Sequence, residues 1–362
     1  MTAVLAAIAA TTSLAACGGS SDARDLTAAD LGGGPPKAGV VAEGVLKGEE
    51  VVFVGYGGEV QDRQVKDLDP WVETSGATVK QDSPTDTAKL EAQVKSKKVT
   101  WDAVDATDTW AAAHCDDLLT KLDDDIIDRS QLPDDNKGTE CGVPFVGTGN
   151  IFAYNADTVK NAPRTWGDFF DTKKFPGKRA LYSGNPVGIY EAALMADGVA
   201  AEDLYPLDVD RALKKLDTIK NDLVFWSTGA QSQQMVESGQ ADMGIFWSGR
   251  VLNADRAGAN WEPVYDRPVL QYDVMVVPKG SANPVAAMSL INHMLGKEYS
   301  EKITEGSGYP STNKLAKPKV DKVTAKFVAN SAPYTDPVSI DSKFWAENLS
   351  GYVDQWTTWI NG

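Results

Sequence analysis

Histidine is nearly missing from this chain. His114 and His293 are the only two in 362 residues. Imidazole-based metal sites and His-dependent triads therefore have almost nothing to work with. Excess positive charge is missing too. Lys and Arg number 35 against 51 Asp and Glu, a formal net charge of −16. A nucleic-acid binder needs a basic footprint for phosphates, so that class is excluded. No GxSxG, HExxH or P-loop motif occurs, which removes the commonest hydrolase and nucleotide-binding signatures. The remaining composition, 42% hydrophobic and 24% charged, is that of an ordinary globular protein. The length suggests two domains or one large one.

Residues 3–16 form an apolar run, Ala-Val-Leu-Ala-Ala-Ile-Ala-Ala-Thr-Thr-Ser-Leu-Ala-Ala. It is shorter than the roughly 20 residues of a membrane-spanning helix and fits the apolar core of a secretory signal. Leu14-Ala15-Ala16-Cys17 resembles the bacterial lipobox, in which the cysteine is lipidated and becomes the mature N-terminus. The alternative is a signal whose small residues merely precede a cysteine. No Lys or Arg precedes the run, a departure that points to a start codon upstream of Met1. Residues 18–47 carry Gly-Gly-Ser-Ser-Asp and Gly32-Gly33-Gly34-Pro35-Pro36 without a sustained period, and read as a flexible tether.

Two of the three cysteines then remain, Cys115 and Cys141. Outside the cytosol they can form a disulfide; the alternative is two free buried thiols. A metal site is disfavoured, since neither CxxC spacing nor a His pair lies nearby. The acidic runs Asp116-Asp117 and Asp123-Asp124-Asp125 read as a solvated face, without the Gly and terminal Glu of an EF-hand loop.

From Val51 onward, strands and helices alternate. Val51–Val54, Thr78–Gln81 and Trp101–Asp105 read as strands. Helices are predicted at 59–75, 86–98 and Trp110–Leu119. The pattern restarts after Pro144, with strands at Ile151–Tyr154, Arg179–Tyr182, Met243–Trp247 and Val274–Val277. Helices follow at 187–197, 208–220, 284–296, 297–305 and 341–360. This order implies an α/β fold with mostly parallel sheet covered by helices.

Several runs together carry a resemblance. They are Trp226-Ser-Thr-Gly229-Ala230-Gln231, Gly239-Gln-Ala-Asp242-Met-Gly244-Ile-Phe-Trp247-Ser-Gly249-Arg250, Trp101-Asp102-Ala-Val-Asp105, Phe169-Phe170-Asp171-Thr-Lys-Lys-Phe-Pro176-Gly177, Val276-Val277-Pro278-Lys279-Gly280 and Gly308-Tyr309-Pro310-Ser311-Thr312-Asn313. In order and spacing the chain resembles the extracellular solute-binding proteins of the spermidine/putrescine type over about residues 50–318. The resemblance implies the two-lobed type II periplasmic-binding-protein fold, each lobe a mixed, mostly parallel sheet flanked by helices. Lobe 1 would take 48–150 and 276–312, and lobe 2 would take 151–275 and 313–362, with hinges near Ile151–Tyr154 and Val274–Val277. It implies a monomer that captures a small solute for an ABC importer and delivers it to permease and ATPase subunits, needing no cofactor or metal. It places the protein outside the cytoplasm, lipid-anchored to the plasma membrane. The pair Cys115 and Cys141 also looks like a feature of one branch of this family.

The family's ligand residues carry over position by position. Tyr56 matches an aromatic wall residue, and Thr107 and Thr109 match polar positions after the Trp101 strand. Trp247 matches a second wall, Asp273 an amine-binding aspartate, and Tyr309 a third aromatic. Three positions depart. Asn185 and Gly188 stand where polyamine binders place carboxylates, and Arg250 stands where they have Ser or Asp. An ammonium is repelled by a guanidinium, whereas a fixed Arg fork suits a carboxylate or phosphonate. The expected ligand thus carries an anionic group and can carry an amine held by Asp273: an amino acid derivative, an opine-like compound or an aminophosphonate. Polyamine binding is the alternative.

Each residue also has a structural reading. Trp247 and Tyr309 could be core aromatics, Thr107 and Thr109 helix N-caps, Asp273 a partner of Arg267, and Arg250 part of a solvated helix. Glycines beside Tyr56 would let a ligand approach the backbone. Two further function classes stand beside the binder. One is an exported hydrolase with Glu191 and Glu237 as paired carboxylates, disfavoured because nothing in the sequence places them at the required separation, so a non-enzyme is expected; the other is an adhesion or structural lipoprotein.

Overall fold

Short β-branched and aromatic runs bounded by turn residues become strands throughout the chain. They are β1 (Glu50–Val54), β2 (Thr78–Asp82), β3 (Ala103–Thr107), β4 (Gly142–Asn155), β5 (Arg179–Tyr182), β6 (Leu223–Trp226), β7 (Met243–Trp247), β8 (Trp261–Pro263), β9 (Val269–Val276) and β10 (Val338–Ser339). The structure is a computed structural model describing residues 26–134 and 136–362. The expected signal, the lipobox with Cys17 and residues 18–25 of the expected tether lie outside the described residues.

The strands run in the order β2-β1-β3-β9-β4-β7-β5-β6, with β10 on β9 and β8 on β4. The outer pairs β1/β2, β1/β3, β5/β6 and β5/β7 are parallel. The central pairs β3/β9, β4/β9 and β4/β7 are antiparallel. The sheet is therefore mixed, with parallel wings on a central antiparallel ribbon. Helices cover both faces of each wing. One half packs β1, β3 and the helices Pro284–Met294 and Lys297–Ser307 around Phe53, Trp71 and Ile291. The other packs the helices Ile189–Ala196, Val209–Asp217 and Ser342–Asn361 around Phe152, Tyr190, Trp345 and Trp356.

Strands β4 and β9 run unbroken from one half to the other. In β4, Val143 and Phe145 belong to the first core, while Phe152 belongs to the second. The segment expected as a hinge at Ile151–Tyr154 is part of β4, and Val274–Val276 of the other is the end of β9.

Three local expectations need correction. The helix expected over 59–75 is two helices, Gly58–Lys66 and Asp69–Ser75. Pro70 has no N–H to bond the Lys66 carbonyl, so it interrupts a continuous helix but fits the first turn of the second one. The helix expected over Trp110–Leu119 is the six-residue Asp108–Ala113. Residues 26–47, expected as free tether, instead lie on the first half. Leu46 is fully buried, and Leu26, Leu31, Val41 and Val45 pack against the same core. The Asn292 side chain donates to the Lys37 carbonyl, and the Asn292 backbone carbonyl accepts from Gly39 N–H. Gly39 and Gly296 meet so closely that a Cβ on Gly296 would lie 2.4 Å from Gly39 Cα.

Cys115 and Cys141 form a disulfide, with Cα atoms 5.4 Å apart. It ties the segment after helix Asp108–Ala113 to the start of β4.

Candidate functional site

Period-two alternation puts residues i and i+2 of a strand on one face. Three neighbouring strands contribute such pairs to one cavity: Asp105 and Thr107 of β3, Gln271 and Asp273 of β9, and Val146, Thr148 and Asn150 of β4. Register aligns them. Thr107 faces Asp273, Val146 faces Asp273, and Thr148 faces Gln271. The antiparallel ribbon is therefore the floor of a cavity of about 450 Å³, a size suited to a small-molecule ligand.

The walls come from both halves. Strand β1 ends in Tyr56-Gly57-Gly58, and both glycines have left-handed φ, 75° and 70°. Gln61 holds this turn, accepting from Gly57 N–H at 2.8 Å while donating to Gln81 and the Asp82 carbonyl. Opposite, β7 ends in Trp247. Its ring lies 6.2 Å from Tyr56, 5.4 Å from Tyr182 and 4.9 Å from Trp226, centroid to centroid. Tyr309 packs on Gly249, where a Cβ would approach the ring to 2.7 Å. Leu349 and Val353 of the C-terminal helix complete an apolar flank with Trp110 and Val187.

Arg250 is 3% exposed and lines the cavity. Its Nη2 reaches the Gly57 carbonyl at 3.4 Å, across the gap between the halves. Its Nε is buried without a hydrogen-bond partner. Among the described residues lining the cavity, it is the one cationic side chain. Asp273 accepts a 2.8 Å hydrogen bond from Thr148; Arg267 pairs with Asp266 instead, so the alternative partner for Asp273 falls away. Asp105 is 2% exposed, and its Oδ1 has no partner.

Burial raises the pKa of both carboxyls, and Arg250 opposes the rise. The charge of Asp273 raises Asp105 further, while Asp108 does the same to Asp273. Loss of water likewise lifts the Tyr309 phenol to about 12 and the Tyr56 phenol well above its ordinary range.

Seven of the eight expected ligand residues line the cavity: Tyr56, Thr107, Asn185, Trp247, Arg250, Asp273 and Tyr309. Thr109 does not; its hydroxyl donates to Thr107 at 3.2 Å behind the wall. Thr107 also caps its helix by accepting from Trp110 N–H, and Asn185 turns its own loop by accepting from Val187 N–H. Gly188 has φ 80°, and a Cβ there would lie 2.8 Å from the Asn150 side chain. No carboxylate-bearing residue fits that position without strain.

Sequence reasoning missed Asp105, Thr148, Gln271 and Tyr182. The available signal was the Asp105-x-Thr107 alternation, but its partners on β4 and β9 are distant in sequence. Glu191 and Glu237 share no cavity. Glu191 is fully buried and accepts from Gly188 N–H, the Tyr205 hydroxyl and the Trp345 indole. Glu237 is exposed and accepts from Gln233.

The family described as bacterial extracellular solute-binding protein matches residues 74–331. The chain belongs to this family. As a solute-binding protein it is the substrate-capturing component of an ABC transporter, working outside the cytoplasm with the transporter's membrane subunits. It is similar to the gamma-aminobutyric acid-binding protein of Pseudomonas aeruginosa, 30% identical over 75% of this chain and 79% of that one. A solved GABA receptor is 37% identical, with TM-score 0.77 over 86% of this chain and 98% of its own. A binding protein from A. tumefaciens R10, solved with agropinic acid, is 32% identical, with TM-score 0.79 over 87% and 99%. Spermidine/putrescine-binding periplasmic proteins are also relatives. The two-lobed periplasmic-binding-protein fold and the polyamine-type kinship thus both hold.

Proposed function

We propose that the cavity captures a zwitterion, with a carboxylate or phosphonate on Arg250 and an ammonium on Asp273. Tyr56 and Trp247 would flank the chain between them, and Tyr309, Thr107 and Asn185 would complete the wall. One observation carries this reading: a buried guanidinium with an unpartnered Nε faces buried carboxylates across one cavity. A guanidinium and a carboxylate form a strong charge-assisted pair, and an ammonium over an aromatic face is attracted by its quadrupole. The relatives that bind gamma-aminobutyric acid support this solute class, and the one that binds agropinic acid supports its carboxylate end.

The polyamine reading stays second, favoured by the two acids Asp105 and Asp273 on the floor. It is weakened by Gly188, where a further carboxylate would be strained, and by Arg250 itself.

Calorimetry with 4-aminobutyrate, agropinic acid and putrescine separates the two. 4-Aminobutyrate should bind, and Arg250→Ala should weaken it by roughly 10- to 100-fold, the value of a hydrogen bond to a charged group; agropinic acid, a carboxylate without an ammonium, reads the anionic end alone. Putrescine binding that survives Arg250→Ala would overturn the anion reading. Unchanged ligand recovered after prolonged incubation would separate a binder from a hydrolase.

The remaining expectations belong to the same proposal. The halves act as lobes, 48–150 with 276–312 and 151–275 with 313–362, that close about β4 and β9. The protein is a monomer, held to the membrane by lipid on Cys17. Metabolic labelling with a fatty-acid probe, absent in Cys17→Ser, tests the anchor.

A further inference from the structure

The cavity floor has a charge imbalance that the zwitterion reading leaves unexplained. Asp105 and Asp273 sit on adjacent antiparallel strands, with Asp105 opposite Met275 and Thr107 opposite Asp273. The two aspartates are thus diagonal neighbours on one face, with Cα atoms roughly 7–8 Å apart, within mutual reach of their side chains. Both line the same cavity, and one guanidinium faces them. Asp273 has Thr148 as a donor, whereas Asp105 Oδ1 is buried with no donor at all. A buried carboxylate without a donor is strongly disfavoured, and two acids beside one base cannot both ionise cheaply.

We propose that Asp105 and Asp273 together hold one proton in the empty site, and that an ammonium ligand displaces it. Asp105 is then a specificity-determining residue: it supplies the second acceptor for a three-donor ammonium and makes capture proton-linked. The step balances simply. The carboxylic acid–carboxylate pair becomes two carboxylates around the ligand's ammonium, and one proton passes to solvent. The ligand keeps its own charges, because a carboxylate and an alkylammonium do not titrate between about pH 5.5 and 8.5.

Other titratable groups face the pair. Arg250 comes from helix Ser248–Arg256, Tyr56 from the loop after β1, and Tyr309 from the loop after helix Lys297–Ser307. Tyr299 and Asp108 lie outside the cavity and act through space, the first on Asp105 and the second on Asp273, and Asp86 lines the same cavity as the pair. The tyrosines are pushed to higher pH by burial and stay neutral in this window. Both carboxyls are raised by burial and by neighbouring aspartates, which agrees with a retained proton.

This inference rests on the reading that the amine docks at Asp273, and its test separates the two. The mature protein is titrated with 4-aminobutyrate and with putrescine in buffers of different ionisation enthalpy. The dependence of heat on buffer counts the protons exchanged. About one proton should leave per amine bound near pH 6, falling toward none near pH 8.5, with affinity rising as pH rises between them. Asp105→Asn, nearly isosteric, should bind at least tenfold more weakly and release no proton. Binding without proton release at pH 6, or unaltered release in Asp105→Asn, overturns the inference while leaving the amine site standing. Heat from neither amine overturns the amine reading itself, and this inference with it.

Discussion

Arg250 is held in place largely by what its neighbours lack. A Cβ on Gly229 would come within 2.5 Å of Nε, and one on Gly58 within 3.3 Å of Nη1. Gly229 opens the helix Gly229–Ser238 and has no left-handed φ. Alanine is the better helix former by up to about 1 kcal/mol. Gly229→Ala should therefore leave thermal stability unchanged or slightly raised, yet weaken a carboxylate ligand at least tenfold by pushing the guanidinium aside. A melting curve and a calorimetric titration of the same variant check both halves. Residues of this scale were unevenly legible in the sequence. Tyr56, Trp247 and Tyr309 announce themselves by position beside glycines at strand ends and in loops. Asp105 does not, because its meaning depends on two strands more than thirty residues away.

At the scale of elements, β4 is the instructive case. Its second half, Ile151–Tyr154, reads as a strand from composition. Its first half contains Gly142, Pro144, Gly147 and Gly149, and so reads as loop. It becomes strand because β9 supplies the partner, with the register shifting between Pro144 and Val146 where proline cannot donate. The glycines leave room: a Cβ on Gly149 would lie 2.3 Å from Ala329. Helices with a clear apolar stripe, such as Pro284–Met294, were legible to within two residues.

The contact between helices Asp108–Ala113 and Ser342–Asn361 leads to a pH prediction. Asp108 is 8% exposed and accepts from Ser342 and from Thr109 N–H. Burial outweighs these bonds and lifts its carboxyl from 3.8 to about 6. Between those values the folded state binds a proton that the unfolded chain has lost. Asp108 therefore makes stability fall as pH rises through this window, by on the order of 3 kcal/mol, and contributes no further change above it. Asp108→Asn stays neutral. Its urea-unfolding free energy should fall less than that of the unaltered protein between pH 4 and pH 7, by about that amount.

Over the whole molecule, the segment 26–47 is a strap rather than a leash. It buries Leu46 and Ala38 and covers part of the first core with Leu26, Leu31, Val41 and Val45. None of these residues lines the cavity. Deleting 26–47 should lower the unfolding free energy by on the order of 3 kcal/mol or more, seen as a lower urea midpoint, while ligand affinity stays within twofold. This burial was not legible beforehand, since the strap has no period and its apolar residues are scattered between glycines and prolines. Its burial is a property of the surface it lands on. The net charge of −16 similarly says little about the site. The cavity holds its own local arrangement, Arg250 against Asp105 and Asp273.

The ribbon of β4 and β9 is at once the crossing between the two halves and the floor of the cavity. In a rotation about that ribbon, points on the axis scarcely travel, while points at the rim sweep the furthest. Thr148 and Asp273 would lie on that axis, while Gly57 and Arg250, which meet across the gap between the halves, would lie off it. The ammonium end of a ligand would therefore meet its full complement of partners while the jaws are still apart. The anionic end would finish its contacts as they meet, so a solute lacking that end would be held at its base without drawing the lobes together.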